Sequence, residues 1–211
     1  RKAILMIPLG IIILLFLKNL GNRSFFKSFF RIVLSLALFA AVLVLISRIS
    51  IFRGVNERLK TMIASFTGEG AADGSSLLRK KMREVGFAQF LKTPIFGIGI
   101  GCSDVLLQHT INRSTYLHNN YIELLACGGI VGTALYYVPR LALLRDFWSS
   151  RFLRNRQAIA CLTILLLLLI MDYGSVAYSE KMQYLYLLML FVQADKLRES
   201  NQQALEHGAD E

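Results

Sequence analysis

Five apolar runs, separated by polar stretches, set the pattern of this chain. The runs cover residues 3–17, 29–47, 121–144, 157–171 and 182–194. A helix needs about 20 apolar residues, in a range of roughly 17–25, to cross the hydrocarbon core of a membrane. The pattern therefore predicts five membrane-spanning helices. The last two runs are short, and a tight helical hairpin around residues 172–181 is the alternative arrangement for them.

These spans predict an all-α fold, a polytopic transmembrane helix bundle with a large, partly helical external loop. The predicted domains are residues 1–47 (two transmembrane helices with a basic cytoplasmic linker), 48–120 (external catalytic loop), 121–194 (three transmembrane helices) and 195–211 (cytoplasmic tail). The chain starts at Arg1, and its first apolar run follows closely without the small-residue cleavage site of a signal peptide. We therefore expect the chain to be the C-terminal part of a longer protein.

Composition favours a membrane protein over a soluble one. Of the 211 residues, 55% are hydrophobic and 18% are charged, against roughly 45–50% and about 25% in an ordinary soluble domain. Lys and Arg number 24 and Asp and Glu 14, which gives a formal net charge of +10. The basic residues gather between apolar runs instead of forming amphipathic elements, so we expect no nucleic-acid partner. The three cysteines indicate no disulfide framework.

Short basic linkers predict the orientation of the spans. Such linkers stay on the cytoplasmic side of a membrane, and residues 18–31 and 145–157 fall on the same side if five spans alternate. The basic residues of these linkers are Lys18, Arg23, Lys27, Arg31, Arg145, Arg151, Arg154 and Arg156, against the single acid Asp146. Residues 48–120 are then outside, and this segment exceeds the roughly 60 residues over which charge controls translocation.

The external segment contains a predicted surface helix. Glycines at 68, 70 and 74 mark a flexible break, after which residues 76–92 show a helical pattern, with Ser76 as N-cap and Pro94 as the stop. Its apolar stripe consists of Leu78, Met82 and Val85.

The basic residues of the external segment have two interpretations. They attract anionic lipid, or they bind phosphate or diphosphate, for which the planar fork of arginine is suited.

Two groups of glycines carry structural predictions. Gly97, Gly99 and Gly101 alternate along the chain, but their spacing is not that of a GxGxxG nucleotide loop and no βαβ unit surrounds them. We expect a tight backbone turn or close packing there, at the membrane surface. In the third span, Gly128, Gly129 and Gly132 predict close packing between helices.

The start of the third span contains the candidate chemistry. His118 lies at the outer membrane boundary, at the head of that helix and close to the basic segment. Histidine is a natural general base near neutral pH, although a lone histidine is more often an ordinary polar residue. Glu123 lies about one turn further along, where an ionisable residue is expensive and indicates function; an interface residue partnered by water is the alternative. Neither paired carboxylates nor histidines at metal-ligand spacing occur, so we expect no metal and no other cofactor.

Taken in order, these motifs resemble the O-antigen ligase and O-antigen polymerase family. The resemblance rests on Arg79, on Pro94-Ile95-Phe96-Gly97-Ile98-Gly99, on His118-Asn119-Asn120-Tyr121-Ile122-Glu123-Leu124 and on Gly128-Gly129-Ile130-Val131-Gly132. It covers about residues 30–145 well, and the last two spans agree only in layout. Members are bacterial multi-pass enzymes of the cytoplasmic membrane with a large external loop between two helices.

The resemblance implies a metal-independent, inverting glycosyltransferase of cell-surface polysaccharide assembly. The donor would be a glycan linked to a polyprenyl diphosphate, undecaprenyl diphosphate in this family, and the acceptor a glycan, lipid or protein. Membrane lipids and other polysaccharide-assembly membrane proteins are the further partners expected.

Carried onto this chain, Arg79 would hold the diphosphate and His118 would activate the acceptor hydroxyl. The candidate substrate-binding residues are Arg48, Arg53, Arg58, Arg83, Asn119 and Glu123. Any of the first three could be the family's second arginine, and Arg83 replaces an aromatic residue often found one turn after the first.

Two other function classes remain open at this point. A transporter or flippase component for lipid-linked anionic sugars would use the same arginines for binding. Transporters, however, place their sites near the bilayer midplane, whereas the polar cluster here is outside the predicted spans. A non-catalytic surface anchor would need only a basic loop and gives no reason for His118. Polymerase and ligase share the donor and the base, so these residues do not separate them.

Overall fold

The described part of the chain is helical. The computed structural model describes residues 2–19, 30, 34, 74–149 and 155–207. Within these ranges there are six helices and no strand, which confirms the all-α class for this part of the chain. The helices are α1 (Lys2–Asn19), α2 (Gly74–Lys92), α3 (Ser103–Ile111), α4 (Asn120–Phe147), α5 (Arg156–Asp172) and α6 (Lys181–His207).

Helices α1, α4, α5 and α6 share the largest hydrophobic core. α5 contributes half of its buried side chains, more than any other helix, because most positions of this helix are apolar, and Leu162 and Leu165 are fully buried. Phe147, at the end of α4, is buried in the same core. α1 approaches α5 at Gly10, where a Cβ atom would lie 3.0 Å from Leu167 Cδ1.

The prediction of five membrane spans is not confirmed. Of the described helices, α4 alone is long and apolar enough to cross a membrane, and Met6–Lys18 in α1 is a shorter apolar stretch. α5 has only 17 residues, and polar residues occupy much of the second half of α6. The predicted span at residues 29–47 falls outside the described residues, apart from positions 30 and 34. α4 keeps an exposed apolar face that includes Leu135 and Val138, as a helix in contact with lipid requires.

The two C-terminal helices pack against each other across the connection at residues 173–180. α5 matches the predicted run at residues 157–171 to within one residue at each end. α6 is longer than the run at residues 182–194 and continues to His207. In this extension Arg198 pairs with Asp146 of α4 and with Asp195. Residues 195–207, predicted as a tail, are therefore helical.

The predicted surface helix is present as α2. It begins at Gly74, two residues before the predicted start, and ends at Lys92 as predicted. Its apolar stripe is the predicted one, with Met82 buried and Leu78 and Val85 packed in the same cluster. The nine-residue helix α3 was not predicted, because it is too short to show a clear period; Asn112 ends it in the left-handed conformation, with φ of 54°.

Loop 93–101 is joined to the middle of α4 by backbone hydrogen bonds, an arrangement we call the glycine interlock. α4 breaks at Gly129, whose φ of 62° and ψ of −163° lie in a region open essentially to glycine alone. A break leaves peptide groups without helical partners, and unpaired peptide groups are costly inside a membrane. The loop supplies those partners through four backbone hydrogen bonds. The loop donates two of them, from Ile98 N–H to Ala126 O (3.1 Å) and from Gly99 N–H to Cys127 O (2.8 Å). It accepts the other two, from Ile130 N–H at Pro94 O (2.8 Å) and from Val131 N–H at Ile95 O (3.2 Å).

Glycine is required on both sides of the interlock because the backbones approach so closely. A Cβ atom at Gly97 would lie 2.4 Å from the Cys127 carbonyl, and one at Gly129 would lie 2.3 Å from Ile95 O. Of the three alternating glycines, Gly97 shows the predicted close packing. Among the described residues, the neighbours of the α4 glycines are residues of the loop, Ile95, Phe96 and Ile100, and not of another helix.

Candidate active site

His118 lies in the loop that joins α3 to α4, immediately before the helix begins. Its φ of 58° is in the left-handed region, which costs a residue with a side chain roughly 1–2 kcal/mol. Its imidazole is half-buried, and the ring of Tyr116 lies beside it with the two centroids 4.3 Å apart. Strained residues of this kind cluster at functional sites and persist only when their surroundings hold them.

Glu123 holds the backbone on one side of His118. Its side chain is 1% exposed. One carboxylate oxygen accepts the backbone N–H of Leu117 at 2.8 Å, and the other accepts a short hydrogen bond from the hydroxyl of Ser103. Leu117 directly precedes His118 and is itself fully buried. The carboxylate thus ties the His118 loop to both α4 and α3.

Asn119 and Asn120 hold the backbone on the other side. Asn119 is the N-cap of α4, where its side-chain oxygen accepts the N–H of Ile122 at 3.0 Å. Its amide nitrogen donates to Tyr173 O at 3.1 Å. The fully buried Asn120 accepts the N–H groups of Ala177 (2.8 Å) and Tyr178 (3.0 Å). Both asparagines therefore fasten the start of α4 to the connection between α5 and α6.

A buried polar network continues from Asn120 between the helices. The side-chain nitrogen of Asn120 donates to Tyr137 Oη at 3.0 Å and to Asp172 Oδ2 at 3.3 Å. Tyr137 in turn donates to Asp172 at 3.0 Å, and Gln183 of α6 donates to the other oxygen of Asp172 at 3.4 Å. Every member of such a network needs its partners, so the network fixes α4, α5 and α6 relative to one another.

A cleft of about 380 Å³ opens beside the His118 loop, and we call it the acidic cleft. Three carboxylates line it, together with four hydroxyl side chains and two tyrosines, and no basic residue is among its described lining. Burial, helped by the negative charge of Glu123, raises the pKa of Tyr178, so this phenol keeps its proton near neutral pH. The side chains that line the cleft are Ser103, Asp104, Ser114, Thr115, Tyr116, Glu123, Val176, Tyr178, Ser179 and Glu180.

Helix α2 carries two arginines on the face that contacts the His118 loop. Gly86 of α2 packs against Leu117, the residue before His118. A Cβ atom at Gly86 would lie only 2.6 Å from Leu117 Cδ1. Arg79, Arg83 and Gly86 are spaced i, i+4 and i+7 and share one helical face. At a rise of 1.5 Å per residue, Arg83 lies about 4.5 Å and Arg79 about 10 Å along the axis from Gly86. Arg79 is exposed and Arg83 is half-buried.

The site residues predicted from the sequence fall into three groups. His118, Asn119 and Glu123 meet at the start of α4. Arg79 and Arg83 lie on the neighbouring helix α2. Arg48, Arg53 and Arg58 lie outside the described residues. Sequence reasoning missed Ser103, Asp172 and the cleft residues at 176–180. The isolated Asp172, at the end of an apolar run, was the available signal for the network.

Comparison with known protein families gives one match. The family described as O-antigen ligase matches residues 1–137, which is more than half of the chain. The protein belongs to the O-antigen ligase family. The match contains α2, the glycine interlock and the start of α4 with His118. No curated protein matches the chain.

Membership of the O-antigen ligase family places this protein in cell-surface polysaccharide assembly, with glycosyltransferase-like activity. The family is membrane-associated, and the apolar helix α4 fits that setting. The matched range ends within α4, so the two helices that hold Asp172 and Gln183 lie beyond it.

Proposed function

We propose that this member of the O-antigen ligase family is a metal-independent, inverting glycosyltransferase. It transfers a glycan from a polyprenyl-diphosphate donor to an acceptor hydroxyl at the outer face of the bacterial cytoplasmic membrane. The observation that carries the proposal is the strained His118, held from both sides by buried neighbours in a loop whose residues 114–116 line a polar cleft. A fixed histidine at such a place is what general-base catalysis requires.

The proposed reaction is a single displacement at the anomeric carbon. The His118 imidazole accepts the proton of the acceptor hydroxyl as the oxygen attacks this carbon. The bond from the carbon to the diphosphate oxygen breaks, and the leaving diphosphate keeps the electron pair. One displacement on the face opposite the leaving group inverts the configuration of the sugar.

Arginines supply the positive charge for the leaving group in this proposal. Negative charge grows on the diphosphate as its bond breaks, and fixed cations stabilise that charge in the transition state. Arg79 and Arg83 lie on the α2 face that contacts the His118 loop, and one of Arg48, Arg53 and Arg58 supplies a further cation.

Loss of the Arg79 guanidinium is expected to reduce glycan transfer by about 10²–10³-fold, because one fixed donor to the leaving group disappears. Arg79→Ala is compared with Arg79→Lys, which keeps the charge but loses the two-pronged contact and recovers part of the activity. The measurement is the length and yield of surface glycan in cells that carry only the variant. Lys80→Ala, an exposed neighbour on another face of α2, is the control and keeps normal glycan. Normal glycan in Arg79→Ala cells would remove Arg79 from the mechanism.

Glu123 is proposed to position His118 through the Leu117 N–H rather than to contact substrate. Glu123→Ala frees that N–H and lets the loop relax, and small misplacements of a catalytic group cost up to about 10²-fold in rate. We expect a 10- to 100-fold lower kcat with a nearly unchanged KM for the acceptor. In Glu123→Gln the amide oxygen still accepts the Leu117 N–H, so this variant keeps most of the activity. A higher KM in both variants, with kcat unchanged, would indicate a substrate contact instead.

A further inference from the structure

The acidic cleft differs in chemistry from the basic face of α2. Asp104 and Glu180 are exposed residues of the cleft lining, and Glu123 is a buried one. The α2 face that contacts the His118 loop, in contrast, carries Arg79 and Arg83. The His118 loop touches both regions, because Tyr116, whose ring lies beside the imidazole, lines the cleft and Leu117 contacts α2. A diphosphate is repelled by the cleft and attracted to α2, so the two substrates are expected to occupy different sides of His118.

We infer that the acidic cleft is the acceptor site, and that it binds neutral or amino sugars and rejects acidic ones. This inference rests on the proposed function and adds to it the class of acceptor sugar. It concerns the sugar residue next to the attacking hydroxyl, whatever lipid, glycan or protein carries that residue.

The lining of the cleft suits a sugar ring. Sugars present many hydroxyl groups, and carboxylates and serine or threonine hydroxyls are their natural hydrogen-bond partners. The ring of Tyr116 is 47% exposed, which leaves an aromatic face for the apolar C–H side of a sugar. The volume of about 380 Å³ lies in the lower part of the usual range of ligand pockets, about 300–1,000 Å³. The cleft therefore has the size and the groups to hold a small part of a glycan.

Charge decides between sugar types. An acidic sugar would place its carboxylate beside Asp104 and Glu180 with no basic residue in the described lining to compensate, whereas the ammonium group of an amino sugar would be attracted. Between exposed groups a few ångströms apart such a term is on the order of 1 kcal/mol, so one exposed carboxylate changes affinity by about fivefold and two by about thirtyfold. Salt screens exposed charges, so this preference shrinks as ionic strength rises.

The test measures direct binding, independently of transfer. The full chain in lipid nanodiscs is titrated with three trisaccharides that differ in charge: glucosamine trimer, N-acetylglucosamine trimer and galacturonic acid trimer. We expect the cationic trimer to bind about five- to thirtyfold more tightly than the neutral one, and the acidic trimer to bind most weakly. In the double variant Asp104→Lys and Glu180→Lys this order is expected to reverse. Glu199→Lys, a charge reversal at one exposed position of α6, is the control and keeps the wild-type order.

Two results would overturn the inference: no saturable binding of any trimer at millimolar concentrations, or the same order of affinities in the charge-reversed protein. The experiment distinguishes a failure of this inference from a failure of the proposed function. If the trimers bind as expected but the protein transfers no glycan, the cleft is a sugar site and the transferase proposal fails. If glycan is transferred while charge reversal leaves binding and acceptor KM unchanged, the transferase proposal stands and the acceptor lies elsewhere.

Discussion

His118→Ala is expected to lower the rate of glycan transfer by about 10²–10⁴-fold, the usual contribution of a positioned general base. Alanine cannot accept the proton of the attacking hydroxyl, and the remaining arginines stabilise only the leaving group. Removal of a half-buried side chain from a loop leaves the packed helices unchanged, so the protein stays in the membrane at its normal level. The measurement is the initial rate of transfer, normalised to the amount of folded protein.

The matched control is His109→Ala, because His109 is an exposed histidine of α3 that has no role in the proposed chemistry. Its rate is expected to equal that of the wild type. The pH profile adds a second readout, since the rate of a reaction with a histidine base falls as pH drops through the pKa of that base. A wild-type rate in His118→Ala at all pH values would end the general-base assignment.

Gly129→Ala is expected to cause the largest loss of stability, more than about 3 kcal/mol. Its backbone angles are available essentially to glycine alone, and forcing another residue into them costs about 1–3 kcal/mol. In addition, the new methyl group would lie 2.3 Å from Ile95 O, and a backbone atom held by the interlock cannot move away cheaply. We expect little folded protein in the membrane fraction, or a much lower thermal midpoint for what remains.

Gly132→Ala, three residues further along α4, is the matched control. A Cβ atom there would make only an ordinary contact, 4.0 Å from Ile100 Cδ1, and alanine is the better helix former by roughly 0.5–1 kcal/mol. Its thermal midpoint is therefore expected to match or exceed that of the wild type. Equal midpoints for the two alanine variants would show that the interlock does not hold α4.

Local pattern predicted the local features of the site. The spacing of Leu78, Met82 and Val85 indicated the buried face of α2, and Pro94 indicated its end. The position of His118 at the head of a helix followed from the apolar run behind it, and Asn119 caps that helix. These features depend on residues within one or two helical turns, where periodicity and capping rules apply.

Long-range pairing is what the sequence did not reveal. Asn120 and Asp172 are 52 positions apart and meet only because α4 and α5 pack together. Glu123 and Ser103 meet for a similar reason, through the fold of α3 onto α4. The glycines of α4 were assigned to helix packing because sequence spacing does not distinguish a neighbouring helix from a neighbouring loop. The predicted number of spans rested on hydropathy alone, and in the described residues one helix meets the requirement by length and composition.

The central claim is tested most directly by reconstitution of the purified protein in vesicles that contain a polyprenyl-diphosphate-linked glycan. We predict transfer of the glycan with release of the lipid diphosphate, in the presence of a metal chelator, by the wild type and not by His118→Ala. Chains that lengthen on the lipid would identify a polymerase, and transfer to another acceptor would identify a ligase. Movement of the intact lipid-linked glycan across the vesicle membrane, without any transfer by the wild type, would contradict the account and identify a transporter.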